Sequence, residues 1–183
     1  MGRLVYGMMQ SLDGYIADER GDITLPVPGP ELHRYFNDVM RTVTLSVYGR
    51  RMWEVMRYWA EPDPDRGEVG DEFAQEWGST PIVVISRTLR EVPPGVTLIS
   101  TDAVEAVRTL KAEVDGDIEV SGAELAGSLG AAGLIDEYRL YYQPVVLGSG
   151  TPYFASGFRP DLRVAGVESL PEDVTLVRCV PAV

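Results

Sequence analysis

The chain is poor in the residues that build covalent and metal chemistry. It has one cysteine, Cys179, and one histidine, His33, in 183 residues. A lone cysteine closes no intramolecular disulfide, which points to a reducing compartment. One Cys and one His also fall short of a zinc site of the Cys/His type, so no metal is expected. A Ser-His-Asp triad would have to recruit His33. That residue falls with Asn37 and Arg41 on the polar side of a predicted helix, where it reads as solvated. Positive charge is scarce too: 16 Lys and Arg stand against 28 Asp and Glu, a net charge of −12. Such a chain repels nucleic acid and anionic lipid on average, and any anionic ligand needs a local basic site. Neither a Walker A loop nor Gly-x-Gly-x-x-Gly occurs. Gly148-Ser149-Gly150 has the first two glycines of the latter but precedes no helical pattern. No apolar run approaches the roughly 20 residues of a membrane span. Met1 to Tyr6 reads directly as a strand, without the apolar core of a secretory signal. The expectation is a cytoplasmic protein that binds neither membrane nor nucleic acid.

What is present is ordinary globular composition, 45% hydrophobic and 24% charged. The length suits one domain over 1–183. Leu4 to Gln10 reads as a strand, followed by a loop over Ser11 to Ala17 that turns at Asp13-Gly14. Leu32, Tyr35, Phe36, Val39 and Met40 recur at helical spacing behind Pro30. Thr42 to Tyr48 is β-rich, Arg51 to Met56 a short helix, and residues 57–70 an exposed loop, with Phe73 and Trp77 turned inward after it. Pro81 to Ser86 and Val96 to Ile99 read as strands. A helix capped by Thr101 or Asp102 carries Val104, Val107, Leu110 and Val114 on one face. Ile118 to Ser121 is a strand, a small-residue helix runs to about Ala132, and Gly133 stops it. Tyr138 to Leu147 reads as one long strand. Leu162 to Val167 and Val174 to Val180 are spaced as an antiparallel pair. Alternation followed by strands alone predicts an α/β fold: a mostly parallel central sheet, helices on both faces, antiparallel C-terminal strands, and the first strand central.

Three strand ends offer anion chemistry. Val120-Ser121-Gly122-Ala123-Glu124-Leu125 passes from strand to glycine to helix start, where free amides and the dipole suit an anion. A tight turn is the plainer reading. Val47-Tyr48-Gly49-Arg50-Arg51-Met52-Trp53-Glu54 repeats the pattern with two arginines, which oppose the dipole unless an anion lies between or solvent bathes them. Val84-Ile85-Ser86-Arg87-Thr88 places a guanidinium between two hydroxyls, either a phosphate grip or a polar strand end. Ligands of open α/β sheets sit at the carboxyl ends of strands, so the coincidence of all three suggests an anionic cofactor.

These segments, with Ser11-Leu12-Asp13-Gly14-Tyr15-Ile16-Ala17, Gly133 to Leu140 and Pro144 to Phe154, resemble the dihydrofolate reductase-like superfamily. They are most similar to the reductase domain of bacterial riboflavin-biosynthesis enzymes and its stand-alone relatives. The resemblance spans nearly the whole chain in order, and the zinc deaminase domain of those enzymes has no counterpart here. It implies an NADPH site. Gly49, Arg50, Arg51 and Met52 would hold phosphates, Ser86 and Arg87 the adenosine 2′-phosphate, and Ser121, Gly122, Ala123, Glu124 and Leu125 the diphosphate. The end of the first strand, with Ile16 and Ala17, would flank the nicotinamide. The family usually has two adjacent glycines where this chain has Ser121-Gly122, so the serine is expected to crowd the cofactor. The implied chemistry is hydride transfer to a pterin- or pyrimidine-like molecule. Asp13 is the candidate to bind or protonate the substrate, and a plain Asp-Gly turn is its alternative. Trp53, Trp59 and Tyr153 offer stacking faces, or belong to the core. A nucleotide-binding protein of the same fold without robust turnover is the alternative function. A homodimer is also expected: Tyr138 to Tyr142 has apolar or aromatic side chains on both faces and would want a partner if near a sheet edge.

Overall fold

Continuous apolar runs fix the middle of the molecule. In the computed structural model, which describes residues 1–182, β1 (Arg3–Gln10) lies inside an eight-stranded sheet. The other elements are β2 (Tyr15–Ala17), α1 (Pro30–Thr42), β3 (Val43–Gly49), α2 (Arg50–Met56), α3 (Gly67–Ser79), β4 (Ile82–Ile85), β5 (Val96–Ile99), α4 (Ala103–Glu113), β6 (Asp117–Ser121), α5 (Ala123–Ala131), β7 (Glu137–Tyr142), β8 (Thr151–Pro152), β9 (Leu162–Ser169) and β10 (Thr175–Pro181). The sheet order is β5-β4-β3-β6-β1-β7-β10-β9. Pairings from β5 through β7 are parallel, and β7-β10-β9 is antiparallel. β2 and β8 pair apart from this sheet, and the glycine at 150 permits it: a Cβ there would collide with the Ala17 carbonyl oxygen.

Helices cover both faces, as buried central strands require. Ala123, Ala126 and Leu129 of α5 and Val107 of α4 pack on Leu4, Tyr6, Val47, Ile118, Val120 and Leu140. On the other face Met40 of α1 and Trp77 of α3 pack on Tyr48, Ile82 and Val84, while Leu32 packs on Tyr141 and Leu176. The alternation of β6 puts Glu119, opposite Val5 and Ser46, on this second face. Burial pushes its carboxyl up to about 7; the Arg139 guanidinium pulls it back and Asp117 adds to the rise.

Several expectations change. β7 stops at Tyr142 rather than Leu147, because Pro144 has no amide and those of Leu147 and Gly148 bond to Asp13. Residues 57–70 are not all loop: Arg57–Ala60 forms a 3₁₀ turn, and α3 starts at Gly67. β7 is an interior strand between β1 and β10, so its two-sided apolar character serves the core. His33 is half-buried rather than fully solvated. Its ring meets Trp59 at 5.6 Å and Phe73 at 5.4 Å edge-on, and Nδ1 lies 3.1 Å from the Asn37 side-chain oxygen. Asn37 is itself buried, donating to Val69 and Glu72 of α3, so the polar side of α1 is an interface between helices.

Candidate active site

The parallel order sets the carboxyl ends of β5, β4, β3, β6 and β1 in a row, and each end leads into a loop or helix start. A cleft of about 720 Å³ runs along that row, within the size range of ligand sites. Two glycines line it. Gly49 ends β3, and a Cβ on it would sit 3.7 Å from Leu125 of α5. Gly122 follows β6 at φ +112°, and a Cβ on it would sit 3.7 Å from Met52 of α2. Thus each glycine leaves open the space beside the opposite helix start. No side chain caps α5, so its first amides are unbonded by any cap.

Charge is gathered on this side. Arg50 pairs with Glu54 at 3.0 Å, and Arg51 reaches across to Glu124 at 3.5 Å. Arg87 is exposed, lines the cleft, and has no ion-pair or hydrogen-bond partner among the described residues. Beside it the Ser86 hydroxyl accepts the amides of Thr88 at 3.2 Å and Leu89 at 3.0 Å, so that the Ser–Arg–Thr turn is held by its own serine. Asp102 lines the same end and caps α4, accepting the amides of Val104 and Glu105.

Of the cofactor candidates, Ile16, Ala17, Gly49, Arg50, Arg51, Met52, Ser86, Arg87, Gly122, Ala123, Glu124 and Leu125 all line this one cleft. Ser121 does not; it is buried, and the lining at this strand end begins at Gly122. The serine therefore does not crowd the cradle as the sequence led us to expect.

The substrate and proton-donor candidates are placed elsewhere. Asp13 clamps a loop: its carboxylate accepts the amides of Leu147 at 3.1 Å and Gly148 at 2.7 Å. The Ser11 hydroxyl foremost, with those amides, holds this carboxyl below the usual carboxylate range, against an opposing effect of burial. An anion so bonded is a poor proton donor at neutral pH. Trp53 is core, 4% exposed and stacked on Trp77 at 6.3 Å. Trp59 belongs to the His33–Phe73 cluster and carries the Arg66 guanidinium 5.3 Å over its ring. Tyr153 is buried and staples β8 to the sheet: its hydroxyl donates to the carbonyls of Tyr6 or Arg139, while the Tyr6 hydroxyl donates to its own carbonyl at 2.9 Å. None of the three lines the cleft.

Met8, at the end of the first strand, lines the cleft as expected; residues that sequence reasoning missed include Ile23, Val55, Thr101, Asp102 and Thr151. Asp102 was legible as a helix cap, and its place at the end of β5 could have put it in the row. The apolar ones carry no local signal.

The family model of the RibD C-terminal domain matches residues 3–176. The uncharacterized protein YyaP of Bacillus subtilis (strain 168) is 30% identical over 156 residues, 83% of this chain and 80% of that one. A Shewanella sp. PV-4 protein provisionally assigned to riboflavin biosynthesis superposes with a TM-score of 0.76 at 25% identity, over 99% of both chains. The Thermotoga maritima diaminohydroxyphosphoribosylaminopyrimidine deaminase/5-amino-6-(5-phosphoribosylamino)uracil reductase gives 0.70 at 18% identity, over 99% of this chain and 57% of that one. A dihydrofolate reductase from Enterococcus faecalis complexed with NADP(H) gives 0.68 at 16% identity, over 100% and 98%. The last two share the fold. Matched over nearly all its length, the chain has the dihydrofolate reductase-like fold and belongs to the RibD C-terminal domain family.

Proposed function

We propose that the protein is an NADPH-dependent reductase that passes a hydride to a pterin- or pyrimidine-like small molecule. The observation that carries this is the single cleft in which two glycine-lined strand ends, an uncapped helix start and an unpartnered arginine line up. The residues fit the cofactor. Gly49 and Gly122 leave room for a diphosphate against the first amides of α5. Arg50 and Arg51 can exchange their exposed carboxylate partners for phosphate oxygens. The Arg87 fork, with the Ser86 and Thr88 hydroxyls, suits a 2′-phosphate. Ile16 and Ala17, buried against the sheet, would hold the nicotinamide face. Bound NADPH supplies the hydride, and this chain binds and orients it. A conjugated C=N or C=C bond would take that hydride at its carbon and a proton at the neighbouring atom. Solvent reaching the cleft would supply that proton.

Single-turnover oxidation of bound NADPH by pterin and aminopyrimidine acceptors, followed by its absorbance, tests the reading. Oxidation that depends on the acceptor is expected. Tight NADPH binding with no oxidation by any acceptor would favour a nucleotide-binding protein without turnover.

We also propose a homodimer, now through the outer strand β9, where Val164 and Val167 are 61% and 65% exposed. Light scattering should give twice the 20.1 kDa of one chain; the monomer mass at micromolar concentration would refute it.

A further inference from the structure

The start of α1 is held from the far end of the chain. Gly29 sits at its cap position and has no side chain, so α1 carries no cap of its own. Glu172, in the turn between β9 and β10, supplies one: its carboxylate accepts the amide of Gly29 at 2.7 Å and that of Leu32 at 3.2 Å. The glycine fits this contact, since a Cβ at 29 would sit 2.6 Å from a Glu172 carboxylate oxygen. The turn itself is strained. Glu172 and Asp173 both have positive φ, 61° and 58°, and the Val174 amide closes the turn on the Pro171 carbonyl at 3.4 Å. Asn and Gly are the residues that suit two such positions. A strained backbone persists where its surroundings hold it. Here the carboxylate on α1 holds it, with Leu170 and Val174 buried in one cluster with Leu32.

That helix start is also the end of a segment that walls the cleft. Between β2 and α1 the chain passes Gly21 and Ile23, and both line the cleft. Asp18 organises the first part, accepting the amides of Arg20 at 2.8 Å and Asp22 at 3.0 Å. Beyond Asp22 the segment has no regular structure, and among the described residues no amide of 23–28 donates a backbone hydrogen bond. Its place is set by anchors instead: the buried Leu25 side chain, the Pro26 carbonyl, which accepts the Gln143 side-chain amide at 2.9 Å, and the Gly29 amide on Glu172. A segment so sparsely bonded opens easily, and each anchor lost widens its range.

We propose that Glu172 is a positioning residue for the cleft: by holding Gly29 and Leu32 it fixes residues 23–28, and with them Ile23, so that a turn outside the cleft controls how tightly the cofactor is held. This rests on reading the cleft as the NADPH site. A ligand that needs the wall in place binds only the fraction of molecules in which it is in place. Removing the carboxylate lowers that fraction and leaves the glycines and arginines of the cradle as they are. The latch also accounts for a glutamate where Asn or Gly would sit without strain.

Two substitutions break the latch from opposite sides. Glu172→Ala removes the carboxylate, and Gly29→Ala pushes it aside with a methyl group, while φ −72° at 29 suits alanine. NADPH affinity, measured by fluorescence titration, should fall about three- to tenfold in each, within the range that one helix cap spans. The double variant should bind no more weakly than either single one, because the same contact is lost. Glu172→Gln keeps an acceptor and should recover part of the loss. Hydrogen exchange should quicken over residues 21–28 as well as in the first turn of α1, while β3, β6 and α5 keep wild-type rates; this readout requires no cofactor. Asp173→Gly changes the same turn but leaves the latch, so affinity and exchange over 21–28 should stay as in wild type. Faster exchange confined to the first turn of α1, unchanged NADPH affinity in both single variants, or additive losses in the double variant would make Glu172 a helix cap alone and overturn the proposal. If wild type binds no NADPH, the cofactor reading fails, and the exchange over 21–28 still decides the role of Glu172.

Discussion

At the ends of β3 and β6 the charged or hydroxyl-bearing lining of the cleft sits beside a glycine at a helix start, and at the end of β4 it is the Ser86–Arg87–Thr88 turn; along β1, β2 and the loop after β2 the lining is Met8, Ile16, Ala17, Gly21 and Ile23. The first part is built from contiguous peptides, each a strand, a turn and a following segment, so that a few consecutive residues specify both backbone and chemistry. The second is assembled from β1, β2 and the loop after β2, and no two of its residues are adjacent in sequence except Ile16 and Ala17. One end has the character of a fixed cradle for a fixed ligand. The other can change ligand by single substitutions that leave the cradle untouched. This is the division expected when one cofactor serves a fold and the substrates differ.

The largest effect should come from Gly122→Val. At φ +112° any side chain is strained, at about 1–3 kcal/mol, and the added atoms fill the cradle. Urea unfolding should show that loss, and NADPH affinity should fall about a hundredfold or more, as if two charge-assisted bonds were lost. Unchanged NADPH affinity would break the assignment of the glycine end.

Glu119→Gln should act on stability alone, which separates folding from either end of the cleft. The folded chain holds the Glu119 proton to about 7, against an ordinary 4.5. Stability from this group is therefore intact below pH 4.5 and is lost as pH rises through 7, by an order of a few kcal/mol. The glutamine variant should flatten that slope in unfolding curves from pH 5 to 8, with NADPH affinity unmoved.

Arg87→Ala should weaken NADPH ten- to a hundredfold, since a hydrogen bond to a charged group contributes about 1.5–3 kcal/mol, and should barely touch NADH. Arg87→Lys should restore only part, having lost the fork. Equal losses for both cofactors would make Arg87 structural. Asp13→Asn keeps an acceptor for the loop amides, so kcat should fall by less than about tenfold. A fall of a hundredfold or more, the scale of general acid catalysis, would return Asp13 to the chemistry. The smallest effect is Glu124→Gln. It removes an exposed negative charge beside the diphosphate and releases Arg51, and NADPH should bind up to about fivefold tighter at low salt.

The same contrast explains what the sequence disclosed. The parallel core followed from the unbroken runs Leu4–Met9 and Ile82–Ile85, the end of α5 from Gly133, and the cradle from Gly49-Arg50-Arg51, Ser86-Arg87 and Gly122 to Leu125. Each is a local pattern with a local cause. Trp53, Trp59 and Tyr153 stayed open between stacking face and core, because an aromatic residue looks alike in sequence whether it faces a ligand or the core. Ser121 was misjudged because strand parity at the end of β6, not its place in the motif, decides what it faces. Asp13 looked catalytic because its partners, the amides of Leu147 and Gly148, lie some 130 residues on in the chain. Ile23 and Val55 could not be seen at all, since their meaning depends wholly on which other elements fold beside them.

A crystal structure of the protein soaked with NADPH tests the central claim most directly. The account predicts the diphosphate between Gly49–Met52 and Gly122–Leu125, the 2′-phosphate on Ser86 and Arg87, and the nicotinamide against Ile16 and Ala17. A cofactor bound elsewhere, or a nicotinamide lying at the arginine end, would contradict it.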